Sequence, residues 1–206
     1  QRLGWEASQN NLCGGAYRSY EQTFVKGFKL TADEISLALK GRSTVKGNVQ
    51  VLHGNKALSA DLAHIYRVNG KIKTIELRDH LVFNEPYHRI LAKKGRFLVQ
   101  DYSGTMSELL YRITLDDPNN TLLSRLDPLT AWGKACLAKR DPKGNITLSK
   151  VTYSTCPPGN NSWELKAKEI NLLKKESKGI AKDVFLSVKG LPLVYLPYLS
   201  FPLDTQ

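Results

Sequence analysis

The chain has 206 residues, 41% of them hydrophobic and 24% charged, with a formal net charge of +11. That suffices for one sizeable domain or two small ones, with a packed core that needs no metal or disulfide staples. No apolar run approaches the ~18 residues of a membrane-spanning helix. The N-terminal "QRLGWEASQNNLCGG" lacks the basic end and apolar stretch of a secretory signal, which either was never present or has been removed. Three cysteines, Cys13, Cys136 and Cys156, cannot all pair with one another. In a reducing compartment all are thiols; in an oxidising one at least one is buried or pairs outside these residues.

The predicted elements run as follows. Residues 1–22 read as irregular: "SQNNLCGGAY" is polar and glycine-rich, with no sustained period. From Phe24 onward, short alternating runs replace it. "NVQVLHGNKALSADL", "IKTIELRDHLVF", "NITLSKVTYST" and "DVFLSVKG" place apolar residues two apart, the period of a half-buried strand. Between them, "KGN", "HGN", "NGK", "PKGN" and "PPGNN" supply turn chemistry. "TADEISLALKG" and "TMSELLYRI" have a mixed period and could each form a short helical segment. The rest argues for an all-β sandwich, jelly roll or solenoid-like stack.

A leucine or isoleucine stands two before an alanine at Leu30/Ala32, Leu58/Ala60, Ile90/Ala92, Leu129/Ala131 and Leu165/Ala167, at intervals of 28, 32, 39 and 36 residues. Such intervals point to stacked supersecondary units, here hairpins. Two residues apart on a strand means one face, so each unit sets a large side chain beside a small one in a narrow interior.

Catalytic signals are weak. His53, His64, His80 and His88 form no metal-ligand pair, the cysteines form no C-x-x-C, and no cofactor fingerprint is present, so neither metal nor cofactor is expected. "STVK" (43–46) matches the S-x-x-K of serine acyl enzymes, but that chemistry needs a helical turn and this stretch is β-branched. The carboxylate pairs Asp33/Glu34, Glu76/Asp79 and Asp116/Asp117 lie in polar or turn contexts and read as surface. Nucleic acid is disfavoured as a partner, because the densest basic run, 166–182, contains no aromatic residue. The plain reading of that run is a solvated face.

The last third carries a resemblance. "TYSTCPPGNNSWELKAKEINL" followed by "KGIAKDVFLSVKGLPLVYLPYLSFPLD" resembles the N-terminal periplasmic region of the lipopolysaccharide assembly protein D (organic-solvent-tolerance) family. It has a strand, a cysteine, a proline-glycine turn, a tryptophan and an alternating strand. It closes on a P-x-x-Y-x-P-Y-x-x-x-P segment filled by Pro192, Tyr195, Pro197, Tyr198 and Pro202. The G-N-V and L-x-A-D units of 47–61 are similar to the family's repeats. The resemblance extends over about 13–204, loosely in the middle; 101–133 fits poorly and suggests an insertion or an irregular hairpin.

The resemblance implies an all-β, open β-jelly roll made of two facing antiparallel sheets, with an apolar trough for the acyl chains of lipopolysaccharide. It implies a periplasmic domain of an outer-membrane protein. The trough would join edge to edge with the periplasmic bridge protein of the same pathway. It would pass its lipid to an outer-membrane barrel plugged by a lipoprotein. Residues 1–22 would be an irregular segment, 23–190 the jelly roll and 191–206 a linker to that barrel. By strand parity, the lining residues are Leu30, Ala32, Val49, Val51, Leu58, Ala60, Leu62, Ile75, Leu77, Phe83, Ile90, Ala92, Leu165, Ala167, Val184 and Leu186, with 101–133 left out. Basic side chains at the open rim would meet the lipid's phosphates. Cys13 and Cys156 match the family's cysteine positions, each expected to pair with a cysteine near the end of the barrel. In this chain alone they would be free or joined to each other. Cys136 has no such counterpart and is expected to be buried. Two other readings compete: a jelly-roll polysaccharide hydrolase, and a structural β-domain that only docks partners.

Overall fold

The computed structural model describes residues 3–7, 13, 15–17, 24–86, 88–115 and 129–203. Fourteen strands account for most of them: β1 (Trp5–Ala7), β2 (Gly15–Tyr17), β3 (Val25–Thr31), β4 (Glu34–Ser36), β5 (Gly41–Gly54), β6 (Lys56–Val68), β7 (Lys71–Asn84), β8 (His88–Leu98), β9 (Gly104–Leu115), β10 (Leu129–Arg140), β11 (Ile146–Tyr153), β12 (Trp163–Leu173), β13 (Lys178–Val188) and β14 (Leu191–Pro202). β1 and β2 pair with each other. The other twelve form one antiparallel meander, from β3 and β4 at one edge to β14 at the other.

The meander is creased across its middle. Between β5 and β14, pairing lapses halfway along each strand around Gly47–Asn48, Asp61, Asp79–His80, Lys93, Glu108, Cys136, Lys150, Lys168, Asp183 and Pro197; between β10 and β11 the lapse is longer, Gly133–Cys136 against Lys150–Tyr153, up to the Trp132↔Ser154 bridge. Asn48, Asp79, His80, Glu108, Lys150 and Asp183 have positive φ there, as does Gly47. These are bulge conformations, which bend a strand and interrupt its ladder. Repeated at one level in successive strands, they fold the sheet into two arms. The two facing sheets expected are therefore two halves of one sheet.

The crease also resets which face a side chain takes. Buried residues stand three apart across it at Ala60/Ala63, Ala135/Ala138, Ala167/Ile170 and Ala181/Val184, where an uninterrupted strand would place them two or four apart. This spacing makes "TMSELLYRI" look helical: Met106 and Leu109 both pack in the core, with Glu108 kinked between them. The segment is β9, and "TADEISLALKG" likewise supplies β4.

β9 and β10 keep one register from Gly104↔Arg140 to Leu115↔Leu129, and their connection, 116–128, where an insertion would fall, lies outside the described residues. Residues 191–202, expected in a linker, form β14 along β13. In the N-terminal stretch read as irregular, the described residues include the β1–β2 pair.

On one arm, Leu3 is buried and its carbonyl accepts a hydrogen bond from Arg112 Nη1 at 3.0 Å. Arg112 lies on the outer face of β9, beside Trp132 of β10. The N-terminal segment thus straps this face, which explains why Arg112 is only 4% exposed on the outside of a sheet. We call this the strapped arm and the other the second arm.

Candidate functional site

The inner face is built in rows that cross the strands, because directly paired residues share a face. Just on the strapped-arm side of the crease lie Val49–Ala60, Leu81–Ala92, Leu109–Ala135 and Val151–Ala167–Val184. Large and small residues alternate, and all are 2–7% exposed. On the other side, one unbroken row runs Val45–Ala63–Leu77–Gly95–Met106–Ala138–Leu148–Ile170–Ala181–Leu199. The small residues let the bent backbones approach. Each buried Val or Leu contributes roughly 1.5–3 kcal/mol to holding the crease shut.

Towards the rim, the inner residues become larger and lose cover. On the strapped arm the next row is Leu30–Val51–Leu58–Phe83–Ile90–Tyr111–Gly133, continuing beyond as Tyr153–Leu165–Leu186–Val194. On the second arm it includes Ile65, Ile75, Phe97, Leu172 and Phe201. All these side chains are half-buried except Val194, which is exposed. Gly133 interrupts the first row because β11 crosses there: a Cβ would overlap the Thr152 carbonyl, to which the Tyr111 hydroxyl donates at 2.6 Å. Burial raises the Tyr111 pKa, as does the neighbouring Tyr153, so the phenol stays a donor.

Fifteen of the sixteen residues nominated for the lining lie on this inner face. Leu62 does not. It follows the crease at Asp61 and pairs with the exposed Lys46 and Arg78 on the outside, where Ala63 takes the inner position. The fourth repeat copy is displaced: Gly133 and Ala135, not Leu129 and Ala131, align with Leu58/Ala60. The nominated set took only Ile75 and Leu77 from the second arm and missed the rest of its rows and the β9–β11 residues, whose shared signal is the three-residue step after each crease alanine.

The remaining candidates lie elsewhere. Ser43 is fully buried on the inner side, where its Oγ accepts from Ala38 N at 3.0 Å and from Arg67 Nη1; Lys46, its S-x-x-K partner, is exposed. Asp33 accepts from Asn48 Nδ2 at 2.9 Å outside the crease, Glu34 pairs with Lys46, and Glu76 faces outward toward Arg78 and Arg96. Asp116 and Asp117 lie outside the described residues. His80 joins Asp61 at 2.6 Å on the outer crease, His64 contacts Thr44, and His53 and His88 are exposed. No metal-holding cluster occurs among the described residues. A groove of about 620 Å³ lies on the outer face, with Lys166, Lys168, Asp183, Phe185 and Tyr195 in its wall.

Cys13 and Cys156 are joined to each other, their Cα atoms 4.9 Å apart. Asn160 Nδ2 donates to the Cys13 carbonyl at 3.3 Å, and Trp132 Nε1 donates to that of Cys156. Cys136 is exposed, contrary to expectation. It stands at the outer turn of the crease while Ala135 and Ala138 take the inner positions.

These features define a class: a creased antiparallel β-sheet whose apolar inner face is sealed at the fold line and half-exposed along both arms. Residues 29–178 match the family described as "LptA/(LptD N-terminal domain) LPS transport protein". The LPS-assembly protein LptD of Legionella pneumophila (strain Lens) is 33% identical over 208 residues, covering 98% of this chain and 24% of that protein. That of Coxiella burnetii is 32% identical over 164 residues, covering 79% and 19%. LptH of Pseudomonas aeruginosa, described as the LptA-homologous periplasmic component of a lipopolysaccharide transport device, aligns at a TM-score of 0.30 and 9% identity over 71% of this chain and 75% of that one. The chain belongs to the LptA/LptD N-terminal domain family of LPS transport proteins. It spans about a quarter of the length of the Legionella relative.

Proposed function

We propose that the inner face is a trough that holds the acyl chains of lipopolysaccharide and passes them along the strands' stacking direction. The observation that carries this reading is the gradient of cover: 2–7% exposure at the crease, but half-exposed Leu58, Phe83, Ile90, Leu165 and Leu186 one row outward. A sealed sandwich would bury that second row as well. Each methylene withdrawn from water there contributes ~0.8 kcal/mol, so an acyl chain stabilises itself along the row without directional contacts. The protein binds and guides and performs no bond chemistry. Its carboxylate pairs at Asp33/Glu34 and Glu76/Asp79 lie outside the trough.

The trough is continued by a bridge protein pairing at the β3–β4 edge, and it delivers to an outer-membrane barrel with its lipoprotein plug. The support for this is family membership together with edge strands that have no further strand partner among the described residues. The test is stoichiometric binding of purified lipopolysaccharide to the wild type and to a Leu58→Asp/Ile90→Asp variant. Loss of binding in a variant that stays folded supports the trough; retained binding rejects it.

A further inference from the structure

The two arms end in rims of different charge. The strapped-arm rim offers Lys26, Lys56, Arg89 and Lys189 against Glu85 and Glu164 among the described residues, with Lys56 and Glu85 paired at 2.7 Å. The second-arm rim carries Arg67, Lys73, Arg140, Lys143, Lys174 and Lys178, from the β6–β7, β10–β11 and β12–β13 turns and the strand ends beside them, against Asp101, Asp141 and Glu176. Two of its carboxylates are committed to their own turns. Asp141 accepts from Asn145 N at 2.9 Å and Nδ2 at 3.0 Å, and Asp101 accepts from Ser103 N at 2.9 Å. The ion pairs among the described residues lie on the outer face, along the crease and at the strapped-arm rim.

Arg140 sits in the inner row itself. It pairs with Gly104 and Ile146, and that row continues through Leu172 and Gly179 to Phe201. Its guanidinium and the Lys174 side chain both flank Gly144, which would bring them to 3.8 and 3.6 Å of a Cβ placed there. An exposed arginine and lysine thus stand together where the apolar face meets water. A lipid whose chains lie in the trough brings its head to this line.

We propose that the second-arm rim, centred on Arg140, Lys143 and Lys174, binds the phosphate groups of the lipopolysaccharide head. The lipid is then held in one orientation, phosphates toward this rim and not toward the strapped one. This rests on the trough reading and adds an asymmetry to it. Guanidinium and ammonium donors suit a phosphate dianion, and the contact weakens with salt because the rim is exposed.

The test is binding of two probes to the full chain: purified lipopolysaccharide, and the same lipid stripped of its phosphates by hydrofluoric acid. Arg140→Gln/Lys143→Gln/Lys174→Gln is expected to lower affinity for the intact lipid about tenfold, from the loss of charge-assisted hydrogen bonds. Its affinity for the stripped lipid is expected to stay unchanged. Lys56→Gln/Lys189→Gln, on the other rim, is expected to change neither. No loss in the triple variant, an equal loss with both lipids, or an equal loss from the strapped rim would each overturn the proposal. So would a triple variant that binds intact lipid normally but loses adsorption to phosphatidylglycerol vesicles, which would make the rim a membrane contact. Leu58→Asp/Ile90→Asp separates the two readings: it lowers binding of both lipids if the trough holds, whatever the rim does.

Discussion

Val151 of β11 and Ala167 of β12 are direct cross-strand partners, buried on the inner side of the crease, while Lys150 and Lys168 beside them point to solvent. The pair shows how the crease is specified: a branched residue opposite a small one inside, with charge outside. Ala167 also pairs with Val184, so it has branched neighbours on both sides. Ala167→Leu is therefore expected to overpack the fold line and cost about 1–3 kcal/mol, read as a lowered urea midpoint. Lys168→Leu, one residue on, is expected to leave the midpoint nearly unchanged.

Phe201 lies over Gly179 on the second arm, where a Cβ would overlap its ring. Gly179→Val is expected to destabilise by about 1–3 kcal/mol in the wild type and by much less in a Phe201→Ala background. A double-mutant cycle measures this coupling, and additive losses would show that the ring and the glycine are independent.

His64 is held below the ordinary imidazole pKa, chiefly by burial and then by Arg42 and Arg78, against the opposing pull of Glu76. A base whose folded pKa is depressed favours the neutral form. Its contribution to stability is complete above the unfolded value of 6.5 and is lost as pH falls through the lower folded value. His88 shifts the same way, its ring partly desolvated although the residue is exposed, with Lys56 adding to the shift and Glu85 opposing it. Stability measured by urea titration is expected to fall on acidification below about pH 6.5, and His64→Gln is expected to reduce that slope.

Cys136 is exposed at the outer crease, whereas Cys13 and Cys156 are bonded to each other. Ellman titration of the native chain is expected to find a single reactive thiol, and all three cysteines after denaturation with reduction. Cys136→Ala is expected to abolish the native signal without changing stability.

Much of the fold was legible in the sequence because alternation is a local signal: "IKTIELRDHLVF" and "DVFLSVKG" read as strands and are strands. The L-x-A repeat marked the crease correctly at Ala60, Ala92 and Ala167 because a small residue is needed wherever bent strands close up. The crease itself was not legible. Asp61, Glu108 and Lys168 read as ordinary outward residues, and nothing local announces that the next residue keeps the same face. That is why Leu62 was assigned inward and "TMSELLYRI" looked helical. The strap over Arg112 and the Cys13–Cys156 pair join residues more than 100 apart, which no periodicity encodes. Charge showed its sign but not its place: the rim assembles from turns scattered between Arg67 and Lys178.

The most direct measurement uses a photo-crosslinking amino acid at Leu165 and, separately, at its neighbour Lys166. These positions are adjacent in sequence but open on opposite faces of β12, Leu165 toward the inner row and Lys166 toward solvent. Ala60 and Ala92 are less suitable sites, being buried at the crease. In cells making lipopolysaccharide, Leu165 is expected to yield a lipopolysaccharide adduct and Lys166 none. Adducts of equal yield at both positions, or none at Leu165 while Lys166 reacts, would contradict a lipid-carrying inner face.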